Sequence, residues 1–261
     1  MMPRWLRALA AAAIVIGLAL ARPAAAQAQL FARPNEQFRS PKRFALELRF
    51  GPYSPQIDGE FSDGKHPHET FFGTDHRLMT QVEFDYQFIT RFGSAAVGIS
   101  AGYFAEKGKS RVETGGESAV ADESGDSTKL SLYPLALLLV YRADQLWNLL
   151  RIPLVPYGKI GLSYTFWNVY NGNDQVSRAE TTLGLSGRGR GGTPGWQAAA
   201  GLSLALDFID PGSARELDSE TGVNHTYIFA EWDKYAASGL GQSGKLHVGD
   251  SSWVAGLMFE F

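Results

Sequence analysis

The residues best suited to chemistry are the five histidines, His66, His68, His76, His225 and His247. An imidazole beside a hydroxyl makes a general base and a nucleophile. Ser100 and Ser203 fall where an alternating strand would turn them inward. No G-x-S-x-G elbow accompanies them, and no histidine has a Ser or Asp partner in register. His66, His68 and His76 stand among Asp63, Glu69 and Asp75, a donor set suited to a divalent metal. Asn171, Asn173 and Asp174 offer oxygens to calcium, without the twelve-residue loop and its closing Glu. Gly187-Arg188-Gly189-Arg190-Gly191-Gly192 reads as a flexible basic loop that would meet an anion such as a lipopolysaccharide phosphate. No Lys-Ser/Thr follows it to make a P-loop. Polar loops carry all these residue types without function, so the expectation is no catalytic residue, no cofactor and no metal.

The elements that would position such groups are strands. In Thr80 to Phe88, Val82, Phe84, Tyr86 and Phe88 share one face, while Gln81, Glu83, Asp85 and Gln87 share the other. The same period of two recurs in Phe44 to Phe50, Val97 to Tyr103, Gly158 to Phe166, Trp196 to Phe208 and Trp253 to Phe261. Lys129 to Tyr141 alternates poorly, and Pro134 predicts a bulge or irregular pairing because it lacks a ladder donor. Tyr227 to Trp232 puts Glu231 in register with Tyr227 and Phe229, which leaves its inner face undecided. Counting both gives eight strands, with ten as the alternative.

Connection lengths alternate. Ser54 to Arg77, Glu106 to Thr128, Asn168 to Gly195 and Ala236 to Asp250 are long and polar. Those near Gly93-Ser94, from Arg142 to Pro153 and from Asp210 to Gly222 are shorter, the last two with helix-like pieces at Asp144 to Leu150 and Ser213 to Glu220. Short periplasmic turns opposite long extracellular loops are the mark of a transmembrane barrel. The polar face is rich in Gly, Ala and Ser, which suits a narrow interior, and eight strands enclose little more than their own side chains. Glu47, Glu83, Asp85, Asp207 and Glu260 would face Arg49 and Lys159 there. Phe44, Phe50, Tyr53, Phe88, Phe92, Tyr103, Phe104, Tyr164, Phe166, Trp167, Trp196, Phe208 and Trp253 cluster near strand ends, as interfacial girdles do. The expected fold is all-β, an up-and-down antiparallel transmembrane β-barrel of eight strands.

The last strand ends in Phe261, with Phe259, Leu257, Ala255 and Trp253 at alternate preceding positions. In this it resembles the outer-membrane β-barrel proteins, and in size the OmpA-like, OmpW-like and myxobacterial-type eight-stranded barrels. The resemblance implies that the barrel assembly machinery reads the strand ending in Phe261. It also implies a cell outer membrane location, with membrane lipids and lipopolysaccharide as partners and a monomeric state. No OmpA-type peptidoglycan domain is expected.

Arg4 and Arg7, the apolar run Ala8 to Ala21, and the small residues Ala24 to Ala28 compose a secretory signal peptide over residues 1–28. Cleavage is expected after Ala26 or Ala28, which leaves 29–261 as the barrel. A retained membrane helix is disfavoured because spanning takes about 20 apolar residues. Losing Arg4, Arg7 and Arg22 takes Lys plus Arg from 24 to 21 against 27 Asp plus Glu, and the net charge from −3 to −6. Nothing in that balance suits nucleic acid. The absence of cysteine excludes a lipoprotein anchor, disulfides and thiolate metal sites. The functional expectation is a barrel with a largely plugged lumen and long surface loops, in a structural or surface-interaction role. A narrow transporter of small or hydrophobic solutes and a lipid-modifying enzyme are the alternatives.

Overall fold

In a computed structural model, the described residues are 43–60, 66–90, 93–112, 122–144, 152–180, 186–242 and 244–261. The signal peptide, Phe92, Asp63 and most of the segment Asp144 to Leu150 lie outside them. Eight strands close into a barrel: β1 (Phe44–Tyr53), β2 (Arg77–Ile89), β3 (Ser94–Val112), β4 (Asp122–Arg142), β5 (Leu154–Tyr170), β8 (Arg190–Ala205), β9 (His225–Ala236) and β10 (Asp250–Glu260). Two short strands, β6 (Arg178–Glu180) and β7 (Ser186–Arg188), pair with each other in the loop between β5 and β8. Every barrel pairing is antiparallel; apart from the seam of β1 with β10, each joins barrel strands that follow one another in the chain, β5 with β8 across the β6–β7 hairpin. That seam pairs Ala45 with Glu260 through Phe50 with Ala255. Phe261 extends it, its N–H donating to the Phe44 carbonyl at 2.8 Å.

Alternation sets the polarity. Leu78, Val82, Ile99, Leu137, Leu139, Ile160, Leu162 and Leu202 are exposed on the outer wall, while Glu47, Arg49, Glu83, Asp85 and Glu231 are fully buried inside it. A soluble barrel would have the reverse arrangement. This one needs an apolar solvent around its middle.

One sequence expectation is narrowed and three change. Pro134 brings the irregular pairing and not the bulge: β4 keeps its register on β3, and the ladder lapses between Ala101↔Leu135 and Phe104↔Leu132. Leu135, Leu137 and Leu139 then face out, and Ala136, Leu138 and Val140 face in. Tyr53, Phe104 and Trp167 are not girdle residues. They pack inside the end that carries the long loops, termed extracellular from the loop-length expectation and its opposite periplasmic, with Leu130, Leu132, Tyr235 and Val248. The basic stretch at Gly187 is not irregular: Ser186–Arg188 form β7 of the loop hairpin, and Arg190 onward belongs to barrel strand β8. The remaining change concerns Asp207, which lies past the end of β8 in a turn.

Two helices sit at opposite ends. α1 (Pro67–Phe72) rests on the extracellular rim, and Pro67 presets its first turn. Asp58 caps it by accepting from the N–H groups of His68 (2.6 Å) and Glu69 (2.9 Å). Gly108 of β3 lies against the Phe71 backbone, where a Cβ would clash. α2 (Pro211–Thr221) spans the periplasmic connection between β8 and β9. Asp210 caps it, taking bonds from the Ser213 hydroxyl and from the N–H groups of Ser213 and Gly212. Those bonds hold the Asp210 carboxyl below its ordinary pKa. Gly222 ends the helix in the left-handed region at φ 79°. No helix among the described residues is long and apolar enough to cross a membrane.

Candidate functional site: the charged lumen

Period-two alternation on six strands turns the charged side chains toward one axis. Arg49 of β1 donates to Glu83 of β2 and Glu231 of β9, and lies 3.3 Å from Asp233. Arg142, the last residue of β4, donates to Glu47 at 2.6 Å and also to Asp85. Lys159 of β5 donates to Glu47 and, at 2.8 Å, to Glu83. Around this core, Tyr157 donates to Glu231 at 2.8 Å and Gln197 to Asp233 at 2.7 Å. Gln87 and Tyr227 donate to Glu260 at 2.8 and 3.1 Å. Gly98 makes room for the Asp85 carboxylate, which occupies the place of a Cβ.

The sequence placed Glu47, Arg49, Glu83, Asp85, Lys159 and Glu260 here, and the structure agrees. It missed Arg142, Glu231 and Asp233. Asp207 belongs elsewhere: at the periplasmic end its carboxylate binds His225 Nδ1 and the Thr226 N–H. Among the described residues, the lumen network holds three cations, Arg49, Arg142 and Lys159. Six carboxylates face them: Glu47, Glu83, Asp85, Glu231, Asp233 and Glu260. Such groups tolerate burial only when paired and hydrogen-bonded.

Apolar layers lie on both sides of the network. On the extracellular side are Tyr53, Phe104, Leu130, Leu132 and Tyr235. On the periplasmic side are Tyr157, Tyr227, Phe229, Ala205 and Met258. Lys159 Nζ lies 5.4 and 5.8 Å from the Tyr157 and Phe229 ring centres, so the charged and aromatic layers interlock. A cavity of about 20 Å³ remains beside Arg49, Gln81 and Asp233. That is room for about one water molecule.

The histidines are more engaged than expected. His68 is buried, with its Nε2 2.6 Å from Glu106 and its ring stacked on Phe72. His225 has its acidic partner in Asp207, but Ser203 Oγ has no hydrogen-bond partner among the described residues, so no nucleophile–base pair forms there. Ser100 sits opposite Glu83 in the ladder. The loop histidines do not form one metal cluster. His66 approaches Asp58 and Glu69, with ligand atoms within 4.8 Å of one another and no ion present, while His68 is taken by Glu106. Asn171 closes a local turn, its side chain accepting from the N–H groups of Asn173 and Gln175.

No family model and no curated protein matches this chain. Solved structures do. OprG of Pseudomonas aeruginosa is 15% identical, with a TM-score of 0.44 over 85% of this chain and 97% of that one. A major outer membrane protein of Thermus thermophilus is 12% identical, with a TM-score of 0.41 over 84% and 99%. Ail of Yersinia pestis, solved with the heparin analogue sucrose octasulfate, is 12% identical, with a TM-score of 0.37 over 86% and 100%. These likenesses concern fold alone. The closed eight-stranded meander, with an apolar outer wall and a charged axis, makes this chain a transmembrane β-barrel of the outer-membrane type.

Proposed function

We propose that the protein is a non-conducting, non-enzymatic barrel of the cell outer membrane that works through its extracellular face. The observation that carries this reading is the interior: a network of paired charges between two apolar layers, with a cavity of about 20 Å³ beside it. The wall is also uneven. β3 and β4 run 19 and 21 residues, against 10 for β1 and 11 for β10, so one side projects beyond the bilayer as a display surface. The matching experiment is conductance of purified protein in planar bilayers, with a flat baseline expected. Discrete cation-selective steps would overturn the reading. They would put a narrow conduit in its place, which the excess of carboxylates over cations in the lumen favours.

The same proposal includes export by the signal peptide, a monomeric state, and delivery to the barrel assembly machinery through the strand that ends in Phe261. Cleavage after Ala26 or Ala28 predicts that the membrane-embedded protein begins at Gln27 or Gln29. N-terminal sequencing of that protein checks the prediction, and a first residue of Met1 would refute it.

A further inference from the structure

The outer wall carries an unbalanced charge. On the barrel strands, the outward-facing positions among the described side chains are apolar, small or neutral with four exceptions: Lys107 of β3, Lys129 of β4, Arg190 of β8 and Lys234 of β9. All four are cations, and among the described side chains no carboxylate faces outward with them. The lumen network has the opposite balance.

Lys107 and Lys129 are direct cross-strand partners on the same face. Like charges directly opposite each other in a ladder repel. Neither has a salt-bridge partner among the described residues. The next strand places Tyr170 opposite Lys129, and below the lysines the rings of Tyr103 and Tyr133 meet at a tilt with centres 5.4 Å apart. Tyr103 and Tyr133 also face outward, so the lysines stand two outward positions above an aromatic girdle.

Their depth follows from the strand length. Lys129 is twelve residues along β4 from Tyr141, at the periplasmic edge of the exposed apolar stripe. At about 3.3 Å per residue this is roughly 40 Å of strand. A tilt of about 40° reduces it to about 30 Å along the membrane normal, the thickness of the hydrocarbon core. The two ammonium groups therefore lie at the headgroup level of the outer leaflet. They point sideways from the wall rather than upward from a loop tip.

We propose that Lys107 and Lys129, flanked by Arg190, form a lateral binding site for the phosphate groups of an anionic outer-leaflet lipid. A phosphate between the lysines supplies the counter-charge that no described side chain provides, and the tyrosines seat the headgroup above the acyl chains. The sideways direction selects a membrane lipid over a soluble polyanion. This proposal rests on the outer-membrane reading and names a partner within it.

The test uses the full mature barrel refolded in zwitterionic detergent, with thermal unfolding read as loss of the heat-modifiable band. Bisphosphorylated lipid A, its dephosphorylated form and heparin are titrated separately. The expected result is a rise in midpoint with bisphosphorylated lipid A, little or none with the dephosphorylated form, and a weaker effect at high salt. The double variant Lys107→Gln/Lys129→Gln should need at least tenfold more lipid A for the same rise. Without lipid it should unfold no lower than the native sequence, because a repulsion has been removed. An undiminished lipid A response in the variant would overturn the proposal. So would a heparin response equal to that of lipid A, which would assign the patch to a soluble glycan. Either result leaves the barrel itself intact, so it is distinct from a failure to insert in a membrane.

Discussion

Replacing Arg49 with Met should destabilise the folded barrel by about 3–5 kcal/mol, the cost of leaving buried partners of an ion pair uncompensated. Arg49 is fully buried and is shared by Glu83, Glu231 and Asp233, which approach from two other strands. Met fills much of the volume but leaves three carboxylates without their central cation, and only Lys159 remains within reach of Glu83 and Glu231. Urea unfolding in lipid vesicles, extrapolated linearly to zero denaturant, measures the loss. The companion variant Arg49→Met/Glu83→Gln/Glu231→Gln removes charges from both signs of the network. It should recover most of the loss, since neutral groups of similar shape substitute for buried ion pairs at little cost. A single-variant loss below about 1 kcal/mol would mean that water reaches these carboxylates. The closed interior would then be wrong, and with it the non-conducting reading.

The barrel was legible in the sequence because membrane barrels impose one rule on every strand. Outer positions meet lipid and inner positions meet one another, so the alternation in Thr80 to Phe88 is sharp and fixes the register of β2 against β1 and β3. The pattern fades where both faces are apolar. On β4 the inner Ala136, Leu138 and Val140 form an apolar cluster with Ala96, so the run Leu135 to Val140 has no polar phase to read. Arg142 was lost for that reason. Carried two residues past Val140, the inner phase lands on Arg142, which was instead counted as part of a connection. β9 posed the converse problem. Its inner face reads Tyr227, Phe229, Glu231, Asp233, Tyr235, a mixture of aromatics and acids that neither polarity explains until the lumen is seen to be layered. The same layering explains Tyr53 and Phe104. Both hold the inner phase of their strands, but aromatic residues near strand ends look like girdle residues whichever way they point. Pairings between distant residues, such as Arg49 with Glu231 or His68 with Glu106, depend on how eight strands are staggered around the closure. No local window of sequence contains that stagger.

The outward polarity itself can be tested at one residue whose substitution has very different costs in water and in lipid. Leu162 is 66% exposed on β5, opposite Leu137 on β4 and Trp196 on β8, in the middle of the apolar wall. In a barrel surrounded by water, Leu162→Arg would change stability by no more than about 0.5 kcal/mol, as surface substitutions do. In a bilayer the guanidinium must be dragged toward the midplane, and the expected cost is about 2–4 kcal/mol. The matched control is Asn168→Arg, six residues further along the same outer face, where β5 passes the aromatic girdle and faces Arg190 across the ladder. Near the interface an arginine costs only about 0–1 kcal/mol, and repulsion from Arg190 across the ladder adds about 0.2–1 kcal/mol. Urea unfolding of both variants in vesicles therefore reads depth as well as direction. A large loss at 162 with a small one at 168 is the signature of strands that cross a membrane. Equal small losses would mean that water touches the wall at both heights, and the charged lumen would then have to be explained without lipid.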